Sequence, residues 1–173
     1  MLKDLNIKIF ADGADLVSIK NLDNDKNISG FTTNPSLMKK VGVSDYKKFC
    51  LDVLNITKDK PVSFEIFSDD LDEMYEQAME IASWGDSIFV KIPITNSKGK
   101  KTTGVIKKLL NQNVKCNVTA ILTIEQVKEV FEISNNETKV IISIFAGRIA
   151  DTGINPIPMM SEAVKICKDK KNI

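Results

Sequence analysis

Short β-branched or aromatic runs recur along the chain at 7–11, 29–33, 62–67, 88–94, 116–122 and 140–145. Segments with helical spacing of apolar residues lie between them. In 44–57, Tyr46, Phe49, Cys50, Val53 and Leu54 share one helical face, and Ser44 is placed to cap it. In 70–83 the same spacing joins Leu71, Met74, Tyr75, Ala78 and Ile81. Thr123 is followed three residues later by Gln126, a capping-box arrangement that predicts a helix over 123–131. A further stripe covers 161–168. Strand–helix alternation without a Gly/Pro/Ser-rich break predicts an α/β fold whose parallel sheet is covered by helices. An open doubly wound sheet and a (β/α) barrel both satisfy this pattern. GxGxxG and GxxxxGK[ST] loops are both absent, which weakens the nucleotide-binding form of the open sheet.

Composition narrows the chemistry more than the fold. The 173 residues, 43% hydrophobic and 27% charged, read as one domain spanning 1–173. A formal net charge of +1 offers no bulk electrostatic attraction for nucleic acid or an anionic membrane. There is no histidine. That excludes Ser-His-Asp and Cys-His nucleophiles, His-ligated zinc and any histidine base. Proton transfer falls to carboxylates, lysine, hydroxyls or water. Cys50, Cys116 and Cys167 form no CxxC and read as free thiols of a reducing compartment. The opening MLKDLNIKIF places Asp4 and Asn6 where a leader would be apolar, so a cytoplasmic, soluble protein is expected.

Strands buried on both faces should be uniformly apolar, yet several here hold isolated polar residues. Ser63 and Glu65 share a face in SFEIF, Lys91 interrupts IFVKIPI, and Asn117 and Thr119 share a face in CNVTAIL. Ser143 and Phe145 share a face, with Arg148 just beyond, while Asp12 and Asn34 directly follow the first two strands. Together these residues lie in, or at the C-terminal ends of, six different strands, where catalytic residues of a barrel converge. Lys91 is the sharpest signal. An amine held away from water is favoured in its neutral form, which attacks carbonyls to make a Schiff base. Alone, such a lysine reads as a snorkelling side chain. Asp12 equally fits a helix cap, Asn34 before Pro35 a turn, Ser143 a small core residue, and Arg148 a surface ion pair or an anion ligand. Trp84 and the methionines read as core; Lys98–Lys101 and Lys168–Lys171 read as solvated.

The segments GFTTNPSL (30–37), FVKIPIT (89–95), CNVTAIL (116–122) and ISIFAGRIAD (142–151) together resemble the transaldolases and the fructose-6-phosphate aldolases. The resemblance implies a (β/α)8 TIM-barrel type of fold and aldol transfer through a Schiff base, with neither a metal nor an organic cofactor. Lys91 matches the imine-forming lysine, and Asp12 the acid that handles the C4 hydroxyl proton. Glu65 and Thr119 match the pair that holds the catalytic water. Asn34, Asn117 and Ser143 match groups that bind the dihydroxyacetone unit, and Arg148 matches a phosphate ligand. Glu65 and Phe145 stand where fructose-6-phosphate aldolases carry glutamine and tyrosine, which favours the transaldolase reaction. That reaction moves a dihydroxyacetone unit from sedoheptulose 7-phosphate or fructose 6-phosphate to glyceraldehyde 3-phosphate or erythrose 4-phosphate, within the pentose phosphate pathway. The implied partners are sugar phosphates and, from the family's habit, further copies of the chain.

About six of eight βα units are legible, and a Ser and an Arg expected after a seventh strand have no counterpart. A shortened reading frame, a barrel completed by partners and a repurposed remnant all fit this count. A non-catalytic interaction module therefore stands beside the two aldolase readings as the alternative function.

Overall fold

The computed structural model describes residues 7–173; residues 1–6, part of the stretch read above for a leader, lie outside the described residues. The six apolar runs form the strands β1 (Ile9–Asp12), β2 (Ile28–Thr32), β3 (Val62–Glu65), β4 (Ile88–Pro93), β5 (Cys116–Ile121) and β6 (Val140–Ile144). Between and after them lie α1 (Leu16–Asp23), α2 (Pro35–Lys40), α3 (Tyr46–Thr57), α4 (Leu71–Ala82), α5 (Thr103–Asn111), α6 (Ile124–Ile133), α7 (Ala146–Asp151) and α8 (Ile157–Cys167).

The helix starts follow local capping chemistry. Asp45, not Ser44, caps α3, its carboxylate accepting from the Lys48 N–H at 2.9 Å. A carboxylate brings negative charge to the positive helix end, which a hydroxyl does not. Asp70 caps α4, and Thr123 with Gln126 closes the expected capping box on α6. The last helix begins at Ile157, four residues before the stripe read at 161, because Pro156 and Pro158 suit a first turn that needs no N–H donors.

All five strand pairings are parallel, in the order β1-β2-β3-β4-β5-β6. Sequential order with one handedness of crossover leaves the helices on a single side and curls the sheet. Outside, α1 packs on α3, α4 on α5, α5 on α6 and α6 on α8. The core lies between: Phe64, Val90, Ile92, Val118 and Ile121 meet Met74, Ala78, Ile106, Leu109, Val127 and Val130, all fully buried. The other side of the sheet is concave, and β1 and β6 do not pair with each other. The result is an open barrel of six strands, the (β/α)-barrel alternative of the two above.

Two local features shape the concave side. A Cβ at Gly30 would lie 2.4 Å from the Phe10 ring and 2.6 Å from the Pro61 carbonyl, so β2 passes under Phe10 only as glycine. Ala120 has φ +59°, and the β5–β6 register jumps from Val118–Ile142 to Ile121–Ile144. At four junctions an N–H of one strand donates to the carbonyl just before the next: Phe31 to Pro61, Val62 to Ser87, Val90 to Lys115 and Cys116 to Lys139; the Val140 N–H of β6 donates in the same way to the Asn172 carbonyl. Asn172 thus sits beside β6 as the residue before each following strand sits beside its predecessor.

Candidate active site

Strand register assembles the polar residues into one layer. Glu65 pairs with Lys91 across β3–β4, and Lys91 pairs with Asn117 across β4–β5. The Lys91 ammonium lies 3.3 Å from Glu65 Oε2 and 3.4 Å from the Thr33 carbonyl, and Lys91 is 8% exposed. One step deeper, Asn117 Nδ2 donates to Ser63 Oγ at 2.9 Å, spanning the strand between them. Strands two apart are separated by about 9.5 Å in a flat sheet, so this bond reports how tightly the sheet curls.

The trough encloses about 1720 Å³, and Asp12, Asn34, Lys91, Asn117, Ser143 and Phe145 all line it. Thr119 follows Asn117 on the same face, in register with Pro93, and is 2% exposed. Thr119 Oγ1, Asn117 Oδ1 and Thr33 Oγ1 are buried without a hydrogen-bond partner. Buried polar atoms are nearly always paired, so each of these marks unspent hydrogen-bonding capacity.

Electrostatics separate the carboxylates from ordinary surface acids. Burial raises the Glu65 proton affinity above the usual carboxylate range; Lys91 opposes this and Asp12 adds to it. Burial likewise raises Asp12 against the pull of Lys91. The cap reading of Asp12 does not hold, because Asp15 accepts from the Ser18 N–H and caps α1. Asp12 is left free at the tip of β1. Asn34 caps α2, its Oδ1 accepting from the Leu37 N–H, and also lines the trough.

Arg148 stands apart. It lies in α7, its side chain 76% exposed and 3.4 Å from Asp151, so the structure shows it in a surface ion pair. Trp84 is half-buried among aromatics, with Tyr46 edge-on to it at 5.7 Å and to Phe67 at 4.7 Å. Lys98–Lys101 are exposed as read, with Lys101 paired to Glu129. Lys170 departs from the solvated reading: its ammonium donates to the Phe131 and Ser134 carbonyls at the end of α6. Cys50 and Cys116 are buried free thiols, each pushed up to about 12 by burial.

Three contributors carry weaker sequence signals. Ser63 holds Asn117; its place two residues before Glu65 on the same face was the available clue. Tyr46 donates to the Glu65 carbonyl at 2.7 Å and so steadies the end of β3, a contact over 19 residues that periodicity does not reveal. Asp69 accepts from the Ser97 N–H and Oγ, both at 2.7 Å, and its carbonyl accepts from Asn96 Nδ2, tying together the loops that follow β3 and β4.

A buried lysine beside a carboxylate of raised proton affinity thus lies in a polar layer of an open (β/α) barrel, and known proteins share its fold and sequence. A solved dihydrodipicolinate synthase from Rhodopseudomonas palustris superposes with a TM-score of 0.59 at 12% identity, over 95% of this chain and 62% of that one, and shows the fold. A probable transaldolase from Dehalococcoides mccartyi is 33% identical over 163 residues, covering 94% of this chain and 72% of the relative. One from Streptococcus pyogenes serotype M5 is 32% identical over 160 residues, 92% of this chain and 70% of the relative. Residues 9–173, which contain all of the polar layer, match the family described as Transaldolase/Fructose-6-phosphate aldolase, and the chain belongs to that family.

Proposed function

We propose that the chain, as one domain over 1–173, carries out transaldolase-type transfer of a dihydroxyacetone unit through an imine on Lys91. The observation that carries this reading is the Lys91–Glu65 pair at 3.3 Å on the concave face. Glu65 holds protons more readily than an ordinary glutamate, which suits it to relieve the neighbouring ammonium of a proton and free the amine. The amine then attacks the ketose C2 carbonyl. Glu65, with water held by Thr119, carries the proton that lets hydroxide leave as water and the imine form. Asp12 accepts the C4 hydroxyl proton, the C3–C4 bond breaks, and its electron pair passes into the enamine on Lys91. An aldose phosphate departs. The enamine adds to a second aldose phosphate, and hydrolysis returns Lys91. Asn34, Asn117 and Ser143 hold the dihydroxyacetone hydroxyls, and Arg148 the phosphate once freed from Asp151.

Phe145 on the trough wall supports transfer over simple aldol cleavage, because its ring offers the enamine no proton. The substrates proposed are fructose 6-phosphate or sedoheptulose 7-phosphate as donor, with a small aldose phosphate as acceptor.

Borohydride trapping with fructose 6-phosphate, intact mass and peptide mapping tests the reading. A dihydroxyacetone-derived adduct on Lys91, absent from Lys91→Ala, is expected. No adduct on a chain shown folded by circular dichroism sinks the reaction and leaves the interaction-module alternative. In Asp12→Asn the trapped adduct should carry the whole, uncleaved fructose 6-phosphate, while aldose release falls by about 10²-fold or more.

A further inference from the structure

Thr119 and Ile121 make opposite demands on β5. Side chains alternate faces along a strand, so residues two apart share a face. Asn117 lines the trough and Thr119, two residues on in the same unbroken ladder, takes the same face by alternation, whereas Cys116, Val118 and Ile121 are fully buried on the helix side. Strict alternation forward from Thr119 would put Ile121 in the trough. Strict alternation back from Ile121 would turn Thr119 and Asn117 into the helix-side core.

A one-residue offset between 119 and 121 resolves the conflict, and Ala120 supplies it. Three steps on β5, from Val118 to Ile121, match two on β6, from Ile142 to Ile144. This is a bulge, with its extra residue in the left-handed conformation at φ +59°. On the other flank the ladder is unbroken: Pro93 faces Thr119, and the Ile94 N–H donates to the Thr119 carbonyl at 3.0 Å. Past the bulge, the Phe145 N–H donates to the Ile121 carbonyl at 2.9 Å, so the offset also sets the height of Phe145 in the trough.

We propose that Ala120 is a positioning residue, whose left-handed backbone keeps Thr119 in the trough while Ile121 stays in the core. The inference rests on the reading above, in which Thr119 acts with Glu65 on the catalytic water. Residue size matters less here than tolerance of positive φ. Glycine and asparagine adopt that conformation readily, and β-branched residues resist it.

The test compares Ala120→Gly, Ala120→Asn and Ala120→Val with Thr119→Val and the Thr119→Val/Ala120→Val double variant. Gly and Asn variants should keep kcat within about threefold of the parent chain. Ala120→Val should lower kcat by about 10²-fold with KM for fructose 6-phosphate little changed, matching Thr119→Val. The double variant should be no worse than either single, since both remove one function. Equal damage from Asn and Val, or multiplying losses in the double variant, overturns the proposal. The Asn arm decides the matter if the Val chain does not fold. If the parent chain traps no adduct, the reaction fails by itself. Crystal structures of the parent and Ala120→Val chains then decide the positioning claim, which is lost if Thr119 keeps its face in both.

Discussion

Glu65 has its charge disfavoured by burial and favoured by Lys91, and burial prevails. The native state therefore binds this proton more tightly than the unfolded chain does. Its contribution to stability is fully present below the ordinary glutamate pKa of about 4.3 and is lost as pH rises through the raised native value. Glu65→Gln, which mimics the protonated form, should raise Tm at pH 7 and give no gain near pH 4, as thermal melts across pH would show. A gain independent of pH would contradict the assignment of burial as the cause. Gly30 is constrained by space instead: Gly30→Ala drives a methyl into the Phe10 ring and should cost about 1–3 kcal/mol in urea unfolding. Lys91, Glu65 and Asn117 were legible because a polar residue inside an apolar strand run is unusual. Asp12 and Asn34 were ambiguous, since capping and catalysis use the same side chains; the structure shows Asp15 as the cap of α1 and Asn34 as the cap of α2.

At the scale of elements, the loops after β3 and β4 are held together by Asp69 on Ser97 and Asn96. These hydrogen bonds keep Asp69 below the usual aspartate range, so their contribution is present above that range and is lost as pH falls through the lowered native value. Asp69→Ala should leave the fold intact and speed amide exchange over 95–101 by about tenfold relative to β4, read by hydrogen–deuterium exchange. Unchanged exchange would mean that the Thr95–Lys101 bridge orders the loop without Asp69. The strands were legible from β-branched runs, and α3, α4 and α6 from spacing and caps. Four residues of α8 escaped because a proline-rich start carries no polar cap, and the six-residue helices α2 and α7 are too short to establish a period.

At the scale of the whole molecule, β1 and β6 are the two edge strands of the sheet among the described residues, and α8 exposes Ile157, Met160 and Val164 at helical spacing on one face. Ile142, Ile144, Met160 and Val164 all reach the open flank of the trough. Such a surface favours association. Sedimentation should show concentration-dependent self-association that Val164→Glu weakens; a monomer at every concentration would rule out the expected homo-oligomer. Among the described residues no helix is long and apolar enough to cross a membrane.

Local chemistry, carried by the residues themselves, determined the strand–helix alternation, the parallel sheet and the polar residues at strand ends. Periodicity and capping act over a few residues and survive in the sequence. Tertiary structure decided the rest. It chose the barrel over the open sheet, brought Lys91 to 3.3 Å from Glu65, linked Ser63 to Asn117 across an intervening strand, and left Arg148 on the surface. It also placed a bulge at Ala120, where two burial demands of opposite phase meet within three residues. The physical reason is that curl, register and bulges arise from strand pairing and helix packing, which join segments distant along the chain.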